Sequence, residues 1–502
     1  MDILQQLSLG FRVVLDPVNF LLCFIGVLLG TLVGVLPGLG PTASISLLLP
    51  ISYKINPAGA IIMLSGIYYG AMYGGSTTSI LVNIPGEAAS VVTCLDGYQM
   101  ARQGRAGPAL GIAAFGSFIA GTVGIVGLML LAPPLVKIAL KFGPPEYFSL
   151  MVLGIMMVVY LASGSIIKAL MMATFGFLLS SIGQDIFTGS LRFSWGIYEL
   201  SDGIGIVPVA MGLFGISEVL INLEMKLTKQ DVYKEKISGL LPTLQDWMEA
   251  KWAIARGTII GFFLGILPGG GAMISSFVSY AIEKKLSKHP EKFGKGAIEG
   301  VAGPESANNS ACGGAFIPLL TLGIPANAVL AVLMGALMIH DIIPGPFLME
   351  KHPDLFWGVI CSMYIGNGML LVLNLPLIGL WVKVLKIPYP ILFPAILLIC
   401  LIGAYSLNST IVDVVIMIFF GIIGYLMKKF GYEAAPLILA LVLGGMLEPA
   451  LRRSLIMSGG SFKIFFTRPI SLILLTVMAI LLLSPLILKV MRKYRTVVVT
   501  DD

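Results

Sequence analysis

Two strongly apolar stretches of the chain are each broken by nearly the same glycine-proline phrase, Gly34-Val-Leu-Pro-Gly-Leu-Gly-Pro-Thr-Ala-Ser44 and Gly265-Ile-Leu-Pro-Gly-Gly-Gly-Ala-Met-Ile-Ser275. Six of the eleven positions match across a spacing of 231 residues (265 − 34), where composition alone gives roughly one match. Hydrocarbon tolerates irregular backbone only where protein or a polar cavity satisfies the freed N–H and C=O groups. A break repeated at membrane depth therefore points to the substrate site of a transporter.

The membrane setting follows from the amount of hydrocarbon to be hidden. Of 502 residues, 57% are apolar and 12% charged, with a mean hydropathy of +0.95; no water-soluble core of this length buries so much. Apolar stretches of spanning length recur, as in Ile470–Leu488 and Phe356–Leu380. Residues 1–18 read as an amphipathic segment without the features of a removable leader, so retention is expected. The net charge of +6 resides in short segments between spans and forms no basic patch with interleaved aromatics, which argues against nucleic acid. Cys23, Cys94, Cys312, Cys361 and Cys400 are scattered through apolar segments with no CxxC pair, and read as packing residues.

The organisation expected is all-α and polytopic, with two inverted repeats of about eleven crossings and two re-entrant hairpins in all. Repeat one covers 19–223, with a hairpin at about 19–51 and a discontinuous helix at about 57–100. A polar linker, 224–251, separates it from repeat two, 252–490, with a hairpin at about 252–282 and a discontinuous helix at about 297–340; residues 491–502 form a tail. In each half a Gly-Gly pair precedes an Ile-Pro pair: Gly74-Gly75 with Ile84-Pro85, and Gly313-Gly314 with Ile324-Pro325. The arms around Leu267-Pro-Gly-Gly-Gly271 are read as about 11–15 residues each, too short for a hydrocarbon layer of about 30 Å. Lysines flank the second hairpin, which places its ends, the linker and the tail in the cytoplasm. Arg452, Arg453, Lys137 and Lys141 fall on the outer side of this scheme.

Four broken segments are expected to converge: the tips Pro37–Ser44 and Pro268–Ser275, and the loops Gly74–Pro85 and Gly313–Pro325. Half-helix N-termini there offer N–H donors to a carboxylate, and C-terminal carbonyls suit a sodium ion. The candidate substrate-binding residues are Gly38, Gly40, Thr42, Ser44, Gly75, Ser76, Thr77, Thr78, Asn83, Gly269, Gly270, Gly271, Ser275, Asn308, Asn309, Gly313, Gly314, Thr321 and Pro325. Small residues in membrane helices also serve close packing, which is the competing reading for each of them taken singly. Ser44, Asn308, Glu87 and Glu305 are the coupling-ion candidates, because ionisable groups at membrane depth are functional candidates by default; either glutamate could instead cap a helix. His340 and Asp341 end a span at the interface, and His289 and His352 lie in charged loops. The chain contains no nucleophile–base pair, Walker loop or metal-spaced cluster, so it reads as no enzyme, and transport would draw on an ion gradient.

Longer strings resemble a known family. Gly300-Val-Ala-Gly-Pro-Glu-Ser-Ala-Asn-Asn309, Ile317-Pro-Leu-Leu-Thr-Leu-Gly-Ile-Pro325 and Gly335-Ala-Leu-Met-Ile-His340 resemble the large membrane subunit of the tripartite tricarboxylate transporter family. Leu36-Pro-Gly-Leu-Gly40, Tyr69-Gly-Ala-Met-Tyr-Gly-Gly75, Asp96-Gly-Tyr98 and Leu451-Arg-Arg453 extend the match over nearly the whole chain. The resemblance implies a bacterial inner-membrane importer of di- or tricarboxylates driven by sodium or protons. It also implies two partners, a small membrane subunit of about four helices and a periplasmic substrate-binding protein. Ala326-Asn327 stand where many relatives carry Gly and Ser, so a carboxylate is implied but citrate itself is not. The alternatives to a secondary transporter are a passive anion channel with two re-entrant half-pores, an intramembrane enzyme and a scaffold.

Overall fold

The computed structural model describes residues 3–36, 40–162, 164–224, 239–385 and 389–498. The helices begin with α1 (Ile3–Val14), α2 (Pro17–Val35), α3 (Pro41–Ser52), α4 (Pro57–Val82), α5 (Val91–Arg102), α6 (Ala106–Ala139), α7 (Pro144–Tyr160) and α8 (Ile166–Ser180). A two-stranded antiparallel hairpin, β1 (Gly183–Gln184) and β2 (Leu191–Arg192), comes next. Then α9 (Ile206–Ala210), a π segment Met211–Ile216 and α10 (Ser217–Glu224) run as one helix. The second half holds α11 (Leu244–Ile266), α12 (Gly271–Leu286), α13 (Glu299–Leu322), α14 (Ala328–Ile339), α15 (Leu348–Lys351), α16 (Pro353–Asn374), α17 (Ile378–Val384), α18 (Tyr389–Asn408) and α19 (Ile411–Lys429). The last helices are α20 (Ala434–Met457), α21 (Ile464–Thr467) and α22 (Pro469–Val498). Among the described residues, six helices are long and apolar enough to cross a membrane by themselves: α2, α6, the α9–α10 run, α16, α19 and α20. The protein is an all-α polytopic membrane protein.

Two compact units divide the chain, residues 1–140 with 204–434, and residues 141–203 with 435–502. In the first, α2 packs along α4 and α11 along α13, through matching small-residue stripes. A Cβ at Gly26, Gly30 or Gly34 would strike the backbone of Met63, Ile67 or Ala71; at Gly257, Gly261 or Gly265 it would strike that of Gly303, Ala307 or Ala311. Such stripes let helix backbones approach closely and gain dispersion contacts where lipid offers no hydrophobic drive.

The two long helices α4 and α13 end alike. Each closes on a left-handed residue, Asn83 (φ 60) or Gly323 (φ 72), and is followed by an Ile-Pro pair, whose proline cannot continue a helix. Each chain then restarts behind a side-chain cap. Glu87 caps the short turn Ala88–Ser90 that leads into α5, accepting from the Ala89 N–H at 2.6 Å, and Asn327 caps α14, accepting from the Leu330 N–H at 3.0 Å.

One length differs from the sequence reading. The arm before Leu267 is not 11–15 residues but the 23 of α11, about 34 Å at 1.5 Å per residue. Thr243 and Asp246 form a reciprocal capping box, which starts the helix at Leu244, inside the segment read as linker up to 251. Polarity had placed those residues in the linker, but the cap makes them helical.

In the second unit, α7 packs on α22, with Ser149 and Ser471 hydroxyls 2.7 Å apart, and Gly176 of α8 lies against the Leu437 carbonyl of α20. The loop carrying β1 and β2 is anchored by Asp185, whose carboxylate pairs with Arg192 at 3.1 Å and Arg452 at 2.6 Å and accepts from the Phe187 and Thr188 N–H groups.

Candidate functional site

The two helix breaks and the second tip share hydrogen bonds. At the second tip, Gly269 (φ 82) donates its N–H to the Ala326 carbonyl in the break before α14, at 2.8 Å. Asn327 donates from Nδ2 to the Tyr68 hydroxyl of α4 at 2.9 Å, tying the second break to the first long helix. In the opposite sense, Asn308 of α13 donates from Nδ2 to Glu87 Oε1 at 3.4 Å, and the turn after Glu87 packs on α12. The return arm α3 packs in turn against α14. The first break is thus lined by the second half, and the second by the first.

At this crossing sits a second carboxyl. Glu305 of α13, 1% exposed, accepts from Ser76 Oγ of α4 at 2.6 Å and from the Thr93 hydroxyl of α5. Asn309 donates to Ser117 Oγ of α6 at 2.7 Å and to the Glu305 carbonyl at 3.1 Å. Among the described residues, no lysine, arginine or histidine forms an ion pair with Glu87 or Glu305; every donor to them is a hydroxyl, an amide or a backbone N–H. The Oδ1 of Asn308 is buried without a hydrogen-bond partner, an arrangement that leaves an acceptor ready for a ligand.

Beside Glu305 lies a small cleft between α4, α6 and α16, lined by Tyr73, Ser76, Thr77, Leu110, Ala113, Ala114 and Asn374. Ser76 is common to the cleft and to the Glu305 hydrogen bond.

The remaining candidates fall into distinct settings. Ser44 is buried and its hydroxyl turns back to the Gly40 carbonyl at 3.2 Å, and Ser275 does the same to Gly271 at 2.7 Å. Thr42 is half-buried, and Asn83 is exposed at the end of α4. Gly75 faces the Glu87 side chain, where a Cβ would come within 3.0 Å of Cγ. Thr78 spends its hydroxyl on the Val35 carbonyl at 2.7 Å and Thr321 on that of Ile317 at 2.7 Å. Gly313 and Gly314 are packing positions, against Gly124 and Phe262 respectively. Gly270 and Gly271 turn the chain into α12, and Pro325 is buried in the second break. Gly38 lies outside the described residues.

Four residues of this centre escaped the sequence reading: Thr93, Ser117, Tyr73 and Asn374. Lone hydroxyls and amides in apolar helices carry no local mark of their partners, which here lie on distant parts of the chain.

The fold and the site define a polytopic membrane protein with a polar centre where two broken helices cross. The sequence profile of the tripartite tricarboxylate transporter TctA family matches residues 20–439, and the chain belongs to that family, which makes it a transport protein. It is 54% identical over the full length of both chains to an Agrobacterium vitis protein described as an uncharacterised 52.8 kDa protein in the TAR-I ttuC' 3' region. A second Agrobacterium vitis protein, described as an uncharacterised protein in the TAR-II ttuC' 3' region, is 52% identical over 242 residues, which is 48% of this chain and all of that protein. No solved structure matches the chain.

Proposed function

We propose that the chain is the large membrane subunit of a binding-protein-dependent secondary transporter that imports di- or tricarboxylates by ion-coupled alternating access. Its partners in this reading are a small membrane subunit of about four helices and a periplasmic substrate-binding protein. The setting is a bacterial inner membrane, with the 224–251 segment and the C-terminus in the cytoplasm. The observation that carries the reading is the doubled break: two Ile-Pro interruptions, each behind a left-handed helix end, each bonded to the other half of the chain.

The duplication that the inverted-repeat reading requires is supported by the glycine stripes. Gly257, Gly261 and Gly265 follow Gly26, Gly30 and Gly34 at the same 231-residue offset as the Leu-Pro-Gly phrase (265 − 34). A re-entrant return arm fits α3 and α12, whose 12 and 16 residues reach only about 18 and 24 Å, short of a layer of about 30 Å. Substrate carboxylates would be held by Ser44, Asn308 and the glycine-rich tips rather than by arginine, since no arginine lies in the four broken segments. Ser44, Asn308, Glu87 and Glu305 would take the coupling ion, Na⁺ or H⁺, whose charge offsets the substrate's. The hairpins and broken helices would move as one elevator-like body past a static frame.

The test is reconstitution of the full chain with its two partners and measurement of labelled citrate, succinate, malate and aromatic carboxylate uptake. Saturable, gradient-driven accumulation above the external concentration is expected for at least one of them. Passive equilibration at high rate would instead establish a channel.

A further inference from the structure

We propose that Glu305 is the proton-carrying carboxyl of the transport cycle and that it is loaded through the cleft between α4, α6 and α16. This deepens the ion-coupled reading above, on which it rests, by naming the ion, its carrier and its route.

Three observations meet here. Glu305 is fully enclosed, and its two oxygens accept from Ser76 and Thr93. An anion buried with neutral partners alone is strongly unfavourable, and such a group neutralises by taking a proton. Next, Ser76 stands in both places, donating to Glu305 and lining the cleft. Finally, Asn374 lines the cleft and is 4% exposed; its Nδ2 donates to the Leu370 carbonyl, and its buried Oδ1 has no partner. The cleft, lined by the polar side chains of Tyr73, Ser76, Thr77 and Asn374 and by three apolar residues, has room for about one water, which the proposal places against Ser76.

Among the described residues, no basic side chain pairs with Glu305. Glu87 before α5, Cys94 on α5 and Tyr73 on α4 are near enough to feel its charge, and none is basic. On α11 and α12, Arg256 pairs with Glu283. Asp96 of α5 is held by the Tyr280 hydroxyl and by the N–H groups of Gly294, Gly296 and Ala297. Helix α6 has no titratable side chain before Lys137, and α14 has none before its cap His340.

The transfer balances simply. A proton arriving on the cleft water joins Ser76 Oγ as the existing Ser76 hydroxyl proton passes to Glu305 Oε2. Ser76 remains a neutral hydroxyl, now accepting from the new carboxylic acid, and the water is regenerated. Release on the other side of the cycle reverses the steps.

The full chain reconstituted with its partners in sodium-free liposomes, alkaline inside, should accumulate labelled carboxylate. Glu305→Gln should reduce this pH-driven accumulation by roughly 100-fold. Ala113→Leu, which fills the cleft, should slow it by roughly 10-fold. Infrared spectra of the purified full chain at neutral pH should contain a protonated-carboxyl band that Glu305→Gln removes and Ala113→Leu retains. Wild-type pH-driven accumulation by Glu305→Gln, or no band that this variant removes, would overturn the proposal. Accumulation driven by sodium alone would overturn it and leave the transport reading standing. Failure of the wild-type protein to accumulate any carboxylate under any gradient would instead sink the transport reading, while the infrared spectra would still decide the state of Glu305.

Discussion

Three acidic side chains of this protein live in contrasting environments. Asp185 lies in the loop between α8 and α9, outside the spans, where Arg452 above all, then the Phe187 N–H, hold its carboxyl well below the usual carboxylate range. Glu87 is satisfied by a backbone N–H and an amide, and Glu305 by two hydroxyls. The arginine-paired acid is built to stay charged, and the other two are built without a cation. For Asp185 the sign of the pH dependence follows: a lowered folded value contributes stability that is complete above the unfolded value of about 4 and is lost as pH falls through the folded one. Hydrogen-exchange protection of the Phe187 and Thr188 amides, corrected for intrinsic rate, should therefore be flat from neutral pH down to about 4 and fall only below it. Asp185→Ala, which removes the acceptor oxygens, should lack that protection throughout; equal protection in this variant would remove the side chain from the role. At this scale Glu87, Glu305 and Asn308 were legible, since polar groups within apolar runs stand out. Thr93, 212 residues from its partner Glu305, was not, because hydroxyls are common in membrane helices and only the fold joins the two.

Among the elements, the breaks in α4 and α13 were the most legible. A left-handed helix end followed by Ile-Pro leaves the chain no way to stay helical, and both copies show it. The start of α11 was not legible from polarity, because a local capping box overrides hydropathy at the water end of a helix. The close pairs α2–α4 and α11–α13 give a direct prediction. Gly261→Ala drives a methyl into the Ala307 backbone and should destabilise the purified protein by about 1–3 kcal/mol. At Gly368 of α16 nothing lies within 4 Å of an added Cβ, so Gly368→Ala should be neutral or stabilise by up to about 1 kcal/mol through helix propensity. Melting temperatures in one detergent would check the order, and equal values for the two variants would contradict the packing described.

In the whole molecule, the doubling of a phrase in the sequence becomes a mutual arrangement of the halves in the first unit: Asn308 reaches Glu87, Asn327 reaches Tyr68, and Ser76 reaches Glu305. Family membership says that the protein transports, and this crossing is where polar side chains of both halves meet. If one site is shared, a change in either half must damage the same event. The decisive measurement is the initial rate of labelled carboxylate uptake by Ser44→Ala, from the first half, and Asn308→Ala, from the second, with melting temperatures taken alongside. The account predicts that each variant folds as the parent does and loses roughly tenfold or more in rate, equivalent to about 1.4 kcal/mol; parental uptake in both would contradict it.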